Sequence, residues 1–112
     1  MQKAALTLLT TLLLGTTSHS LTADDDIAIT SQRRSELLHL LKQDCGSCHG
    51  LTLKGGLGPA LLPENLTGKP EPLLTATIYY GRPGTAMPPW QSILTESESR
   101  WLARRLLEGV SP

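Results

Sequence analysis

The chain contains no phenylalanine, and only two tyrosines and two tryptophans occur in its 112 residues. A single domain of this size has a marginal core unless something adds to it, so a bulky prosthetic group would supply apolar volume that the side chains do not. There is no apolar run of about 18 residues or more, which excludes a membrane-spanning helix. Neither charge predominates: ten Lys and Arg face ten Asp and Glu. That balance argues against a nucleic-acid surface and against a polybasic membrane patch. No carboxylate pair or His–acid pair suggests a catalytic dyad or triad. Cysteine is scarce as well, with two residues in all.

What is present begins with an export pattern. Lys3 provides a short positive start, and Ala4–Gly15 is an apolar, Thr-rich stretch of signal-peptide length. Ser18-His19-Ser20 places small residues where a signal peptidase reads, which sets residues 1–20 as the signal with cleavage after Ser20. Cleavage after Ala23 is the alternative. A retained anchor would need about twice this apolar length, and no cysteine follows the apolar stretch to accept a lipid. Residues 21–30, with the solvated run Asp24-Asp25-Asp26, form a leader, and 31–112 form one domain. The expected location is the periplasm. Loss of Lys3 leaves nine basic residues against ten acidic ones.

In an exported protein two cysteines usually form a disulfide. Here their spacing favours another chemistry. Cys45-Gly46-Ser47-Cys48-His49 is a C-x-x-C-H motif, the attachment pattern of c-type haem. Two thiols three positions apart reach the two vinyl groups of one haem, and the next residue, His49, lies where an imidazole nitrogen can ligate the iron. A thioredoxin-like pair would follow a strand, and no strand-like alternation precedes Cys45. A structural zinc would need two more ligands at comparable spacing, and only His39 and His19 remain. One covalently bound haem c is the expected cofactor.

The second axial ligand follows by elimination. Met87 is the one methionine left after export, in the loop Gly81-Arg82-Pro83-Gly84-Thr85-Ala86-Met87-Pro88-Pro89-Trp90. Its glycines and prolines exclude a helix, whereas a gap-filling methionine usually sits on a helix or strand face. His39, Lys54 and Lys69 are the rival ligands. His39 lies six residues before Cys45, so one segment would have to supply both haem faces.

Three main helices are expected. The first spans about Ser31 to Asp44, with Leu37, Leu38, Leu40 and Leu41 as its apolar face. A loop region follows from Cys45 to Lys69, with one helical turn near Pro63. The second helix covers about Glu71 to Tyr80, with Pro72 in its first turn and Gly81 at its end. Leu74 and Ile78 would face the haem. The third begins at Thr95, with Glu98 completing a capping box, and stops at Gly109. Trp101, Leu102 and Leu106 form its buried stripe. The small residues Gly46, Ser47, Gly55, Gly56 and Gly84 would leave one haem edge open to a partner.

With these motifs in hand, the chain resembles a class I c-type cytochrome from roughly Ser31 to Gly109. The wording Asp44-Cys45-Gly46-Ser47-Cys48-His49-Gly50-Leu51, Gly55-Gly56-Leu57-Gly58-Pro59-Ala60-Leu61 and Gly81-Arg82-Pro83-Gly84-Thr85-Ala86-Met87-Pro88 is most similar to the cytochrome c-55x group. That group comprises small periplasmic cytochromes associated with cytochrome cd-type nitrite reductase. The resemblance implies the all-α cytochrome c fold, with its helices and loops wrapped around one covalent haem and with His49 and Met87 as axial ligands. It also implies that the Pro59 carbonyl accepts a hydrogen bond from His49, a bond that orients the ring and raises its basicity. The pattern departs at Leu37, where the family carries glycine at a close crossing of its first and last helices. The implied function is that of an electron carrier and not an enzyme, a monomer donating electrons to nitrite reductase. The alternative is an electron-transfer or accessory role in making that enzyme's d-type haem.

Overall fold

A computed structural model describes residues 28–110 of the chain. The expected signal, both cleavage positions and residues 21–27 of the leader lie outside the described residues. Among those residues the structure is helical, with no strand. Helix α1 spans Ser31–Leu40, a π-helical turn covers Leu41–Cys45, and α2 is Gly46–His49. Then come the single turn α3, Pro63–Leu66, and the longer helices α4, Glu71–Tyr80, and α5, Glu96–Glu108.

Each start has a local cause. Thr30 caps α1 by accepting the Arg33 N–H at 3.2 Å. Pro72 in the first turn of α4 occupies a place where an N–H has no helical acceptor. At α5 the Thr95 hydroxyl accepts the Glu98 N–H at 3.2 Å. The Glu98 carboxylate accepts the Thr95 N–H at 2.8 Å in return, which completes the capping box.

The largest helix–helix contact is α4 on α5; α1 and α3 also pack against α5. Leu102 and Ala103 on α5 are fully buried, with Ser99, Trp101 and Leu106 beside them. The Ser99 hydroxyl donates to the Thr95 carbonyl at 3.0 Å, so its burial leaves no unpaired group. Ile29, Leu37 and Leu41 on and before the first helical segment, with Leu53, Leu66, Leu74 and Leu94, complete the same cluster. Leu37 is fully buried although the family pattern has glycine there.

Two expectations need correction. The sequence places a loop from Cys45 onward, but the helical path continues to His49. It passes through the π turn, where the Gly46 N–H donates to the Leu41 carbonyl five residues back. The extra residue rotates the chain beyond it. Buried positions therefore run Leu37, Leu41, Gly46, His49, with a five-residue step across the turn. A regular 3.6-residue period would have turned Cys45 inward in place of Gly46. The second correction follows: Gly46 is buried against Leu51 and is not part of an open edge, whereas Ser47, Gly56 and Gly84 are exposed. The four leucines of α1 and its extension divide as well. Leu37 and Leu41, four apart, are buried, Leu40 is half-buried, and Leu38 is 38% exposed.

Candidate functional site

The motif residues lie on α2 and the turn before it. Cys45 is half-buried and Cys48 is exposed. Burial pushes the Cys45 thiol up to about 11, and the nearby Asp44 charge adds to this. His49 is buried at the end of α2.

The loop after His49 folds back onto the helix end. The Gly58 N–H donates to the Cys48 carbonyl at 2.8 Å, and the Gly55 N–H to the His49 carbonyl at 2.8 Å. Two carbonyls that a helix end leaves unpartnered are thereby satisfied. Leu61 N–H closes the loop further on, donating to Leu53 O at 2.8 Å. The outcome of this folding is a single contact: His49 Nδ1 lies 2.7 Å from Pro59 O. A carbonyl can only accept, so Nδ1 carries the proton and Nε2 keeps its lone pair free. Gly58 is required beside the ring. A Cβ there would stand 2.8 Å from both Nδ1 and Cε1 of His49.

Met87 sits on the nine-residue loop between α4 and Trp90. The base of that loop is pinned to the end of α4, with Trp90 N–H donating to Ile78 O at 3.2 Å and Gln91 N–H to Tyr79 O at 3.1 Å. Further in, Arg82 N–H donates to Met87 O at 3.1 Å. Gly81 makes that approach possible. It has φ 68°, and a Cβ on it would meet Met87 O at 2.8 Å and Pro88 C at 2.7 Å. Met87 itself is half-buried. Neither Gly58 nor Gly81 is singled out for these contacts by sequence reasoning. The only signal is glycine one residue before Pro59 and directly after α4.

His39, Lys54 and Lys69 are all exposed. His39 lines a groove of about 210 Å³ with Leu38, Leu41, Lys42, Leu51 and Leu53, and neither His49 nor Met87 reaches it. Among the described residues no three His, Cys, Asp or Glu side chains gather to hold a metal ion; His19 lies outside the described residues. The donors that remain fit a haem: two thiols one helical turn apart, an imidazole with a free Nε2, and a thioether on a separate, pinned loop.

Arg33 on α1 and Arg100, Arg104 and Arg105 on α5 are held in ion pairs. Arg104 Nε meets Glu71 at 2.7 Å, and Arg100 meets Glu71 at 3.7 Å and Glu96 at 3.6 Å. Arg105 meets Glu108 at 2.6 Å and lies 5.5 Å from the centre of the Trp101 ring. Arg33 on α1 reaches Glu98 at 2.6 Å and Glu36 at 3.0 Å. Its guanidinium holds the Glu98 carboxyl below the usual carboxylate range, with help from the Thr95 N–H.

Comparison with known proteins places these features among relatives. Residues 33–104 match the family model described as cytochrome C oxidase, cbb3-type, subunit III. Cytochrome c55X of Pseudomonas aeruginosa is 60% identical over 79 residues, which cover 70% of this chain and 66% of that protein. The chain thus spans about two thirds of that relative's length. A solved c-type cytochrome, NirC, superposes with a TM-score of 0.70 at 57% identity, covering 70% of this chain and 93% of its own. Dihydro-heme d1 dehydrogenase NirN, solved in complex with DHE, shares 34% identity with a TM-score of 0.58 over 62% of this chain and 15% of its own.

Proposed function

The chain belongs to the c-type cytochromes, the cytochrome c55X kind among them, and from that premise we propose that it is a periplasmic one-electron carrier built on a single haem c. Cys45 and Cys48 would hold the haem through two thioethers, with His49 Nε2 and the Met87 sulfur on the iron. When bound, the haem supplies the one-electron couple, at a potential that a Met ligand sets higher than a second His would.

The chain's own residues do the remaining work. Pro59 accepts the Nδ1 proton of His49, fixing ring and tautomer and making Nε2 more basic. Gly58 leaves the ring room to stand there. The pinned loop of residues 81–89 fixes the backbone that carries Met87. With His49 and Met87 both engaged on the iron, no site would remain open to a substrate, and the chemistry the haem would supply is outer-sphere electron transfer. The observation that carries this reading is the 2.7 Å contact of His49 with Pro59, directly after a C-x-x-C pair on one helical path.

The partner we assign is cytochrome cd-type nitrite reductase, in denitrification. A second reading is supported by the likeness to dihydro-heme d1 dehydrogenase: exchange of electrons, or accessory help, during the making of d-type haem. Two measurements test the assignment. The mature protein should be heavier than its polypeptide by one haem that acid–acetone does not extract, and replacing both Cys45 and Cys48 with Ser should abolish holoprotein. Extractable haem would overturn the attachment. Deletion of the gene separates the two roles. Loss of a carrier slows nitrite reduction with the enzyme intact, whereas loss of a maturation partner yields enzyme lacking d-type haem.

A further inference from the structure

The Met87 loop holds a side chain whose bonding the fold does not otherwise require. Thr85 is exposed and makes no contribution to the core, yet its hydroxyl is used twice. Oγ1 donates to the Arg82 carbonyl at 2.7 Å, and it accepts the Met87 N–H at 3.3 Å. The Thr85 N–H also donates to Arg82 O, at 3.0 Å. Because Arg82 N–H donates to Met87 O, both peptide groups of Met87 are bonded within the six-residue ring Arg82–Met87. Three prolines in and beside the ring, at positions 83, 88 and 89, offer no N–H of their own. The side-chain link that closes this ring is the Thr85 hydroxyl.

We infer that Thr85 is a positioning residue for the axial methionine: its hydroxyl holds the Met87 backbone in the conformation that keeps the thioether on the iron. The inference rests on the proposed ligation by Met87. Without the hydroxyl the Met87 N–H has only water to bond, and the ring Arg82–Met87 is held by backbone bonds alone. The methionine then leaves the iron more often, and an external ligand competes better. One ordinary hydrogen bond corresponds to about a fivefold change in such an equilibrium.

The test uses ferric holoprotein and imidazole as the competing ligand. Thr85→Val keeps the shape of the side chain and removes the hydroxyl; Thr85→Ser keeps the hydroxyl and removes a methyl group. Imidazole should bind Thr85→Val about fivefold more tightly than the wild type and Thr85→Ser nearly as the wild type does. The denaturant midpoint followed by far-UV circular dichroism should fall by no more than that one bond in Thr85→Val and stay at the wild-type value in Thr85→Ser, so that recovery of imidazole affinity in Thr85→Ser separates positioning by the hydroxyl from a general loss of packing. Thr85→Ala serves in the same way where Thr85→Val fails to accumulate. Equal imidazole affinity in Thr85→Val and wild type, with the Met–iron band present in both, overturns this inference and leaves the ligation standing. Tighter binding in Thr85→Ser equal to that in Thr85→Val also overturns it, because the hydroxyl is then not the agent. Absence of the Met–iron band from the wild type overturns the ligation and the inference together.

Discussion

The Nδ1 of His49 and the carbonyl oxygen of Pro59 stand 2.7 Å apart, and Gly58 is what allows them to do so. A methyl group at Gly58 would press on the ring at 2.8 Å. Gly58→Ala should therefore tilt the imidazole away from Pro59. Overpacking of this kind costs about 1–3 kcal/mol, visible as a lower denaturant midpoint of the holoprotein. A weaker Nδ1–H···O bond makes Nε2 less basic, which disfavours the ferric state, so the reduction potential should rise. A variant with unchanged midpoint and potential would show that the ring is not crowded.

Met87 is the subject of a direct ligand exchange. Met87→Ala should remove the weak long-wavelength band of ferric Met–haem and open the iron to exogenous ligands. Met87→His should remain six-coordinate with a lower potential, since axial-ligand identity moves haem over about 0.8 V. Absence of the band from the wild type, with a six-coordinate spectrum that Met87→Ala leaves unchanged, would transfer the role to His39, Lys54 or Lys69, which the structure leaves exposed.

Glu98 couples acidity to stability. Its carboxylate bonds Arg33 at 2.6 Å and the Thr95 N–H at 2.8 Å, and its folded-state pKa is lowered by the Arg33 hydrogen bond first. A lowered pKa means stability that is fully present above the unfolded glutamate value of about 4.3. That stability disappears as pH falls through the folded value. Glu98→Gln should cost about 1–2 kcal/mol near neutral pH, from a weakened cap and a lost ion pair. The gap between variant and wild type should begin to narrow below about pH 4 and close only once pH has passed the lowered folded value. Denaturant titrations across pH give the answer, and a gap that does not narrow in acid would deny the carboxylate this role.

Electron transfer to the partner should depend weakly on salt. Arg33, Arg100, Arg104 and Arg105 each face a carboxylate, so the arginines of α5 do not form an unbalanced basic face. We expect less than about tenfold change in rate between low and physiological ionic strength. Arg82 is exposed on the Met87 loop and has no ion pair among the described residues. Stopped-flow kinetics over a salt series would expose a steep decline; relief of that decline in Arg82→Gln would mean that docking is electrostatic.

The helices that could be read from the sequence are those whose ends are written locally. Pro72 and Gly81 bracket α4, and Thr95, Glu98 and Gly109 bracket α5, each within one turn of the boundary it sets. The π turn at Leu41–Cys45 has no such mark. Its hydrogen bond from Gly46 to Leu41 exists because Leu37, Leu41, Gly46 and His49 must all face the core, and that demand comes from packing partners elsewhere in the chain.

The same division runs through the site. The sequence by itself determined which atoms are available: two thiols at fixed spacing, an adjacent imidazole and one methionine in a loop too rich in glycine and proline to be a helix. These are properties of residue type and short separation, and they need no folded chain to be seen. Tertiary structure decided which groups meet. The Pro59 carbonyl reaches His49 because the intervening loop bonds back to the end of α2. Thr85 touches both Arg82 and Met87 because Gly81 admits the Met87 carbonyl at its positive φ. Arg33 finds Glu98, 65 positions away, only once α1 packs on α5. Contacts of that kind depend on the whole chain having closed, since each is made by backbone or side chains brought together by burial of apolar residues distant in the sequence.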